Sequence, residues 1–268
     1  MSDQVIVMRA GRIEQTALPD EIRRLRLCEA AQCLRHDTHP NETSRVTAIV
    51  IGATGGLGEA LADALEAGPY GRVIRLSRNT TPALDLLSET SVAASAEFCG
   101  ADLDLVLDAT GFLHGGGFTP ERSWKQLDPA HMAHAFAVNA IGPALLMKHF
   151  LPRLTRDRRA VFATLSARVG SIEDNHLGGW YAYRASKAAL NQLMRTASIE
   201  LRRQSKQSIC VSIHPGTVAT DLSAPFAKSG LELQSAATAA ARILSVLDGL
   251  GPEQSGGFFD HHGVAVAF

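Results

Sequence analysis

From Val46 onward the chain alternates two apolar patterns. Short continuous runs, "VTAIVIG", "RVIRLS", "LDLVLDATG", "AVFATLS" and "ICVSIHPG", are aliphatic and bounded by turn residues. Such runs are what strands buried on both faces look like. Between them lie helix-like stretches: "GEALADALEAG", "PAHMAHAFAVNAIGPALLMKHFLPRL", "YAYRASKAALNQLMRTASIELRRQ" and "ELQSAATAAARILSVLDGL". This alternation predicts an α/β fold, a doubly wound parallel sheet of Rossmann type with helices on both faces.

Residues 1–45 have another texture. "LPDEIRRLRLCEAAQCLRH" fits one amphipathic helix starting near Pro19-Asp20, and "HDTHPNETSR" reads as a linker. The expected organisation is an N-terminal extension over 1–45, whose order and role the sequence leaves open, followed by a single domain over 46–268. There is no internal repeat and no low-complexity segment.

Composition narrows the function classes. A length of 268 residues can bury a full core, and 46% hydrophobic with 20% charged residues is ordinary for a globular protein. A formal net charge of −1 gives no electrostatic footprint for nucleic acid or a membrane surface. Asp3, Arg9, Arg12, Glu14 and Asp20 break up the first twenty residues, so no signal-peptide core is expected there. Cys28, Cys33, Cys99 and Cys210 lack disulfide-framework spacing, which points to a reducing cytoplasm. The uncharged stretch "AFAVNAIGPALLM" is short for a bilayer span.

Chemistry enters with the first strand, which runs into "GATGGLGEAL". Gly52, Gly56 and Gly58, with Thr54 and Leu57 between and beside them, precede a helix. Glycines at such a turn let backbone N–H groups approach a pyrophosphate at the helix N-terminus. A plain βα turn would show the same glycines, but the strand–loop–helix context favours nucleotide binding. Tyr183 and Lys187 stand one helical turn apart and can share a face. A phenol titrates near 10, and a neighbouring ammonium lowers that value. A surface pair would have the same spacing. Asn139 lies in an apolar helical stretch, where an amide needs partners, whether a helix–helix hydrogen bond or a functional one.

The Gly-x-x-x-Gly-x-Gly spacing, "DATG" (Asp108 to Gly111), "FAVNAIGP", "TLSARVGSI", "YRASK" and "HPGTVATD" follow one another in order. In this the chain, from Val46 to its end, resembles the short-chain dehydrogenase/reductase family, and within it small carbonyl reductases of the sniffer and C-factor type. The resemblance implies an oxidoreductase that moves a hydride between a nicotinamide cofactor and a small carbonyl or alcohol. It implies Tyr183 as general acid/base, Lys187 beside it and on the nicotinamide ribose, and Asn139 holding a proton-relay water. It places the cofactor against Gly52, Thr54, Gly56, Leu57, Gly58, Ala109, Gly111, Asn139, Tyr183, Lys187, Pro215, Gly216, Val218 and Thr220. "ALDLLSE" resembles the third strand, which would set Asp85 and Leu86 beside the adenine. The family's substrate-polarising serine falls three residues before Gly170, where this chain has Ala167; Ser166 is the nearest candidate, with Ser171 beyond the glycine. Helices at about 130–150 and 181–204 match those through which members form homodimers or homotetramers. An NADP(H)-binding signalling protein with little turnover is the alternative, motivated by Ala167 and the C-factor likeness.

After the second strand, "VIRLSRNT" offers Ser77 and Arg78 and no acid. An acidic residue there would take the ribose 2′-hydroxyl of NAD, whereas an arginine suits a 2′-phosphate, so NADP(H) is expected over NAD(H). No metal is expected: Cys28, Cys33, His36 and His39 have spacing that fits no structural zinc site. The "HHG" near the C-terminus, His131 and His134 read as surface or interface residues, and "HGGGF" as a flexible loop near the active site.

Overall fold

The computed structural model describes residues 46–220, 222–223 and 233–268, together with two strands near the N-terminus. The chain divides into two compact units, Met1–Arg45 and Val46–Phe268. In the first, β1 (Val5–Arg9) pairs antiparallel with β2 (Arg12–Ala17), Val5 opposite Ala17 and Arg9 opposite Arg12. This hairpin differs from the single helix and linker expected over 1–45, although two runs separated by Ala10-Gly11 are a hairpin signal. The helix expected from Pro19 and the Cys28/Cys33/His36/His39 group lie outside the described residues.

The second unit is built on β3 (Thr47–Ile51), α1 (Gly56–Glu66), β4 (Arg72–Leu76), α2 (Glu89–Cys99) and β5 (Leu105–Asp108). Then come α3 (Pro129–Phe136), a π-helical turn (Ala137–Ile141), α4 (Gly142–Phe150), β6 (Ala160–Leu165) and α5 (Tyr181–Gln204). It ends with β7 (Ser208–His214), the short parallel pair β8 (Thr217–Val218) and β9 (Leu233–Gln234), α6 (Ala236–Gly249) and β10 (Phe258–Asp260). Six strands form one parallel sheet in the order β10-β7-β6-β5-β3-β4. The doubly wound parallel sheet read from the sequence is present.

Both faces of the sheet are covered, which is why its strands read as continuous apolar runs. Ala48 and Val50 pack with Leu57 and Leu61 of α1 and Ala239 and Ile243 of α6. Ile49 and Ile51 point the other way, into Val92, Leu146, Phe150, Leu190 and Met194 of α2, α4 and α5. Phe150 and Phe162 are fully buried, each contributing roughly 1.5–3 kcal/mol of hydrophobic stabilisation. The helical run Pro129–Arg153 is longer than its uncharged centre suggested. Among the described residues it is the one stretch long and apolar enough to cross a membrane, and its Leu146 and Phe150 are buried in this core.

Two segments differ from expectation. "ALDLLSE" forms no strand: Thr81–Ser88 is a turn and irregular chain, and Asp85 Oδ1 accepts the Leu87 N–H at 3.0 Å. Helix α2 was not foreseen, because its Ser- and Ala-rich sequence has little amphipathic contrast; Ser88 starts it by accepting the Ser91 N–H.

The strand order fixes where a ligand can sit. After β3 the chain moves outward to β4, then crosses back to place β5 on the other side of β3. Loops leaving β3 and β5 therefore diverge, opening a crevice at the carboxyl ends of those strands.

Candidate active site

Three loops meet at that crevice. Gly52 leaves β3 with φ +83°, a conformation that favours glycine, and a Cβ there would lie 3.1 Å from the Ala109 carbonyl carbon. Gly58, on the first turn of α1, packs so tightly that a Cβ would collide with the Gly52 carbonyl oxygen. Gly56 faces the loop after β7: a Cβ there would lie 3.2 Å from Thr220 Cγ2. Thr54, Gly55 and Gly56 are exposed, and no side chain caps the N-terminus of α1 at Gly55. Such a helix start, with its N–H groups and dipole turned outward, fits a pyrophosphate. Leu57 is buried in the core below.

Ser77 is buried beyond β4, its Oγ accepting the Asn79 N–H at 3.1 Å, while Arg78 is exposed beside it. Asp85 and Leu86 sit in the turn before α2, half-buried, with Leu86 against the apolar core. On the far side, Gly216 has φ +78° and the Pro215 carbonyl accepts from Gln234 Nε2 at 2.6 Å. Val218 is buried and Thr220 half-buried.

The polar centre lies between β5, the π-helical turn and α5. Asn139 is 1% exposed and fully engaged. Its Oδ1 accepts the Phe112 N–H at 2.7 Å, and its Nδ2 donates to the Phe112 carbonyl at 2.8 Å and to Ser186 Oγ at 3.1 Å. Ser186 donates in turn to the Tyr183 carbonyl at 2.9 Å. The π-helical turn interrupts the helix at Asn139, a distortion often found at functional sites. Lys187 is 3% exposed and donates from Nζ to the Leu165 carbonyl at 2.8 Å. A Cβ on Gly111 would lie 3.7 Å from that Nζ and 3.8 Å from Asn139 Oδ1, so both polar groups lie beside the exposed Gly111.

Electrostatics departs from the sequence expectation at one point. Burial pushes the Lys187 ammonium down to about 8, against the pull of the Asp108 carboxylate. Asp108, wholly buried, is itself raised by burial although Thr110 and Thr164 donate to it at 2.6 and 2.7 Å. Burial also pushes the Tyr183 phenol up to about 12. Lys187 was expected to lower it, but the ammonium is drawn to the Leu165 carbonyl and leaves desolvation unopposed.

Ser166, the expected substrate-polarising serine, is turned the wrong way. It is 3% exposed and its hydroxyl donates to Asn191 Oδ1 of α5 at 2.8 Å. The next side chain, Ala167, is the half-exposed one at this strand end, as alternation along a strand requires. Ser171 is buried as well, its Oγ accepting the Asp174 N–H at 3.1 Å. Asp108 and Ser186 were inside motifs already singled out, but only burial and hydrogen bonding show them as parts of the site.

An uncapped helix start at a switch point, with a tyrosine, a lysine and an asparagine on neighbouring elements, defines a dinucleotide-binding oxidoreductase framework. Residues 52–246 match a family model described as enoyl-(acyl carrier protein) reductase. The chain belongs to the short-chain dehydrogenase/reductase family of oxidoreductases. It is similar to C-signal of Myxococcus xanthus, 41% identical over 140 residues, which cover 52% of this chain and 80% of that protein. It also matches the solved structure of an NADPH-bound carbonyl reductase from chicken fatty liver, at 25% identity and TM-score 0.71, covering 84% of this chain and 99% of that one. The carbonyl reductase Sniffer of D. melanogaster superposes with TM-score 0.71 over 84% of this chain and 99% of its own, at 24% identity, which speaks for the fold.

Proposed function

We propose that the protein reduces a small aldehyde or ketone with NADPH, and that Tyr183 is the proton donor. The observation that carries this reading is the convergence of Lys187 Nζ and Asn139 Oδ1 on the open edge of Gly111, at the carboxyl end of β5, with Tyr183 one turn before Lys187. NADPH supplies the hydride when bound. The glycine loop over Gly52–Gly58, Ala109 and the Pro215–Thr220 segment hold it, and Arg78, exposed and paired with no carboxylate among the described residues, meets the 2′-phosphate. The NADPH-bound chicken reductase supports that cofactor. Asp85 and Leu86, though in a turn, remain candidates for the adenine side.

Tyr183 gives its proton to the carbonyl oxygen as negative charge develops there. A phenol pushed up to about 12 is protonated at neutral pH, the state that reduction needs. Lys187, protonated below about 8, stands one turn behind it, and the Asn139 amide fixes the Phe112 backbone and Ser186 beside it. Steady-state NADPH consumption against a panel of aldehydes, ketones and quinones, run beside NADH, tests this. Turnover with NADPH that is weak or absent with NADH supports it; no turnover on any carbonyl counts against it.

A second reading is favoured by Ala167 and the inward-turned Ser166, and by the likeness to a protein named C-signal: NADP(H) binding in a regulatory role with little turnover. Such a protein binds NADPH yet shows no carbonyl-dependent consumption. Cytoplasmic location and a homodimer or homotetramer through the helices at about 130–150 (α3 to α4) and 181–204 (α5) belong to the same proposal, and sedimentation of the purified protein tests the oligomer.

A further inference from the structure

The N-terminus of α5, which carries Tyr183, is not capped by its own sequence. The residue at the cap is Trp180, in the left-handed region at φ +54° and with no side-chain cap of its own. A bulky residue rarely adopts that conformation, so the surroundings must impose it. Glu121, from the loop between β5 and α3, holds the backbone on both sides of Trp180. Its carbonyl accepts the Trp180 N–H at 2.5 Å. Its carboxylate oxygens accept the Ala182 N–H at 3.2 and 3.3 Å, one residue before Tyr183. The carboxylate is buried, with Glu121 only 2% exposed, and its second neighbour is His131 of α3, whose Nδ1 lies 3.4 Å from Oε1. His131 is fixed by stacking on Phe118 at 5.0 Å and by its own N–H, which donates to Asp128 Oδ1 at 2.7 Å. A buried glutamate is costly without partners, and these partners tie the start of α5 to the helix that leads into Asn139.

We propose that Glu121 is a positioning residue for Tyr183: its carboxylate, seated on His131 and capping the Ala182 N–H, sets where α5 begins and hence where the phenol stands relative to Asn139 and Lys187. The proposal rests on Tyr183 being the proton donor. A negative group at a helix N-terminus is favourable by both hydrogen bonding and dipole. Glu121 makes no contact with the glycine loop among the described residues, so cofactor affinity should depend on it less than turnover does.

The test compares Glu121→Ala, Glu121→Gln, Glu121→Asp and Tyr183→Phe in the full chain, with turnover expressed per NADPH-binding site and KM measured for NADPH and the carbonyl. Glu121→Ala should lower kcat roughly 10- to 100-fold, as expected for a misplaced catalytic group, with KM for NADPH changing by a smaller factor than kcat. Glu121→Gln keeps an acceptor at the same reach and should recover kcat to within about fivefold, whereas Glu121→Asp withdraws it by one methylene and should resemble Ala. Should Glu121→Ala fail to fold, the order of the Gln and Asp variants decides. An unchanged kcat in Glu121→Ala, or an Asp variant more active than the Gln variant, overturns the proposal. If Tyr183→Phe is inactive while Glu121→Ala is unaffected, only the positioning role fails; if Tyr183→Phe retains turnover, the assignment of Tyr183 itself fails first.

Discussion

Ser166 donates its hydroxyl to Asn191 Oδ1 at 2.8 Å, so the serine at the end of β6 belongs to the seam with α5 rather than to the crevice. The position that does face outward is Ala167. At the end of β6, then, neither Ser166 nor Ala167 presents a hydroxyl to the crevice.

Ala167→Ser should consequently raise kcat, because it adds a donor where charge develops. The gain expected is on the order of 10- to 100-fold, somewhat below the usual cost of deleting such a donor from a site evolved around it. Ser166→Ala should change kcat by less than about threefold but cost roughly 1–2 kcal/mol of stability, since it strands the buried Asn191 amide, whose Nδ2 already lacks a partner among the described residues. Steady-state kinetics and urea unfolding of both variants check this pair.

Arg78→Ala should weaken NADPH binding on the order of 10- to 100-fold and leave NADH binding within about twofold. Arg78 is exposed and makes no ion pair among the described residues, so the substitution should not disturb folding. Neighbouring Arg75 is the contrast: it is tied to Asp63 and Glu66 at 2.6 and 2.8 Å, and its loss should leave cofactor preference alone. Fluorescence titration with both cofactors measures each.

Lys187 should leave a signature in stability against pH. Its ammonium is held at about 8 by burial, below its ordinary 10.5. Between those values the unfolded chain binds a proton that the folded chain does not, so this group's contribution to stability rises with pH across that window. The shift corresponds to about 3 kcal/mol at most. Compared with Lys187→Met, the parent protein should gain stability as pH climbs from 8 to about 10.5, and the difference should be flat below about 7. Urea midpoints across pH 6–10 would show it; this range covers most of the window.

Much of this was legible in the pattern of apolar runs. Five runs became β3, β4, β5, β6 and β7; β3, β5, β6 and β7 are buried on both faces, while β4 is the edge strand with only Leu76 buried, and the 181–204 stretch became α5 end to end. Helix α2 was not legible because serine and alanine give it little contrast, and β10 because three residues between Gly257 and His261 carry no period. At the site, spacing brought Tyr183, Lys187 and Asn139 forward, since each belongs to a local motif. What spacing could not give was direction. Whether Ser166 or Ala167 faces the crevice depends on the exact residue at which β6 ends, and Glu121 reaches Ala182 across sixty-one positions of chain.

The central claim is that hydride goes to a carbonyl while Tyr183 gives the proton. The most direct measurement follows deuterium from NADPH labelled at both C4 positions of the nicotinamide into the alcohol product, by mass spectrometry, in the parent protein and in Tyr183→Phe. Label in the product of the parent, with the Tyr183→Phe yield at least about 100-fold lower, is the predicted result. Equal labelling in both would contradict the role of Tyr183, and no label in either, with NADPH still bound, would contradict reduction itself.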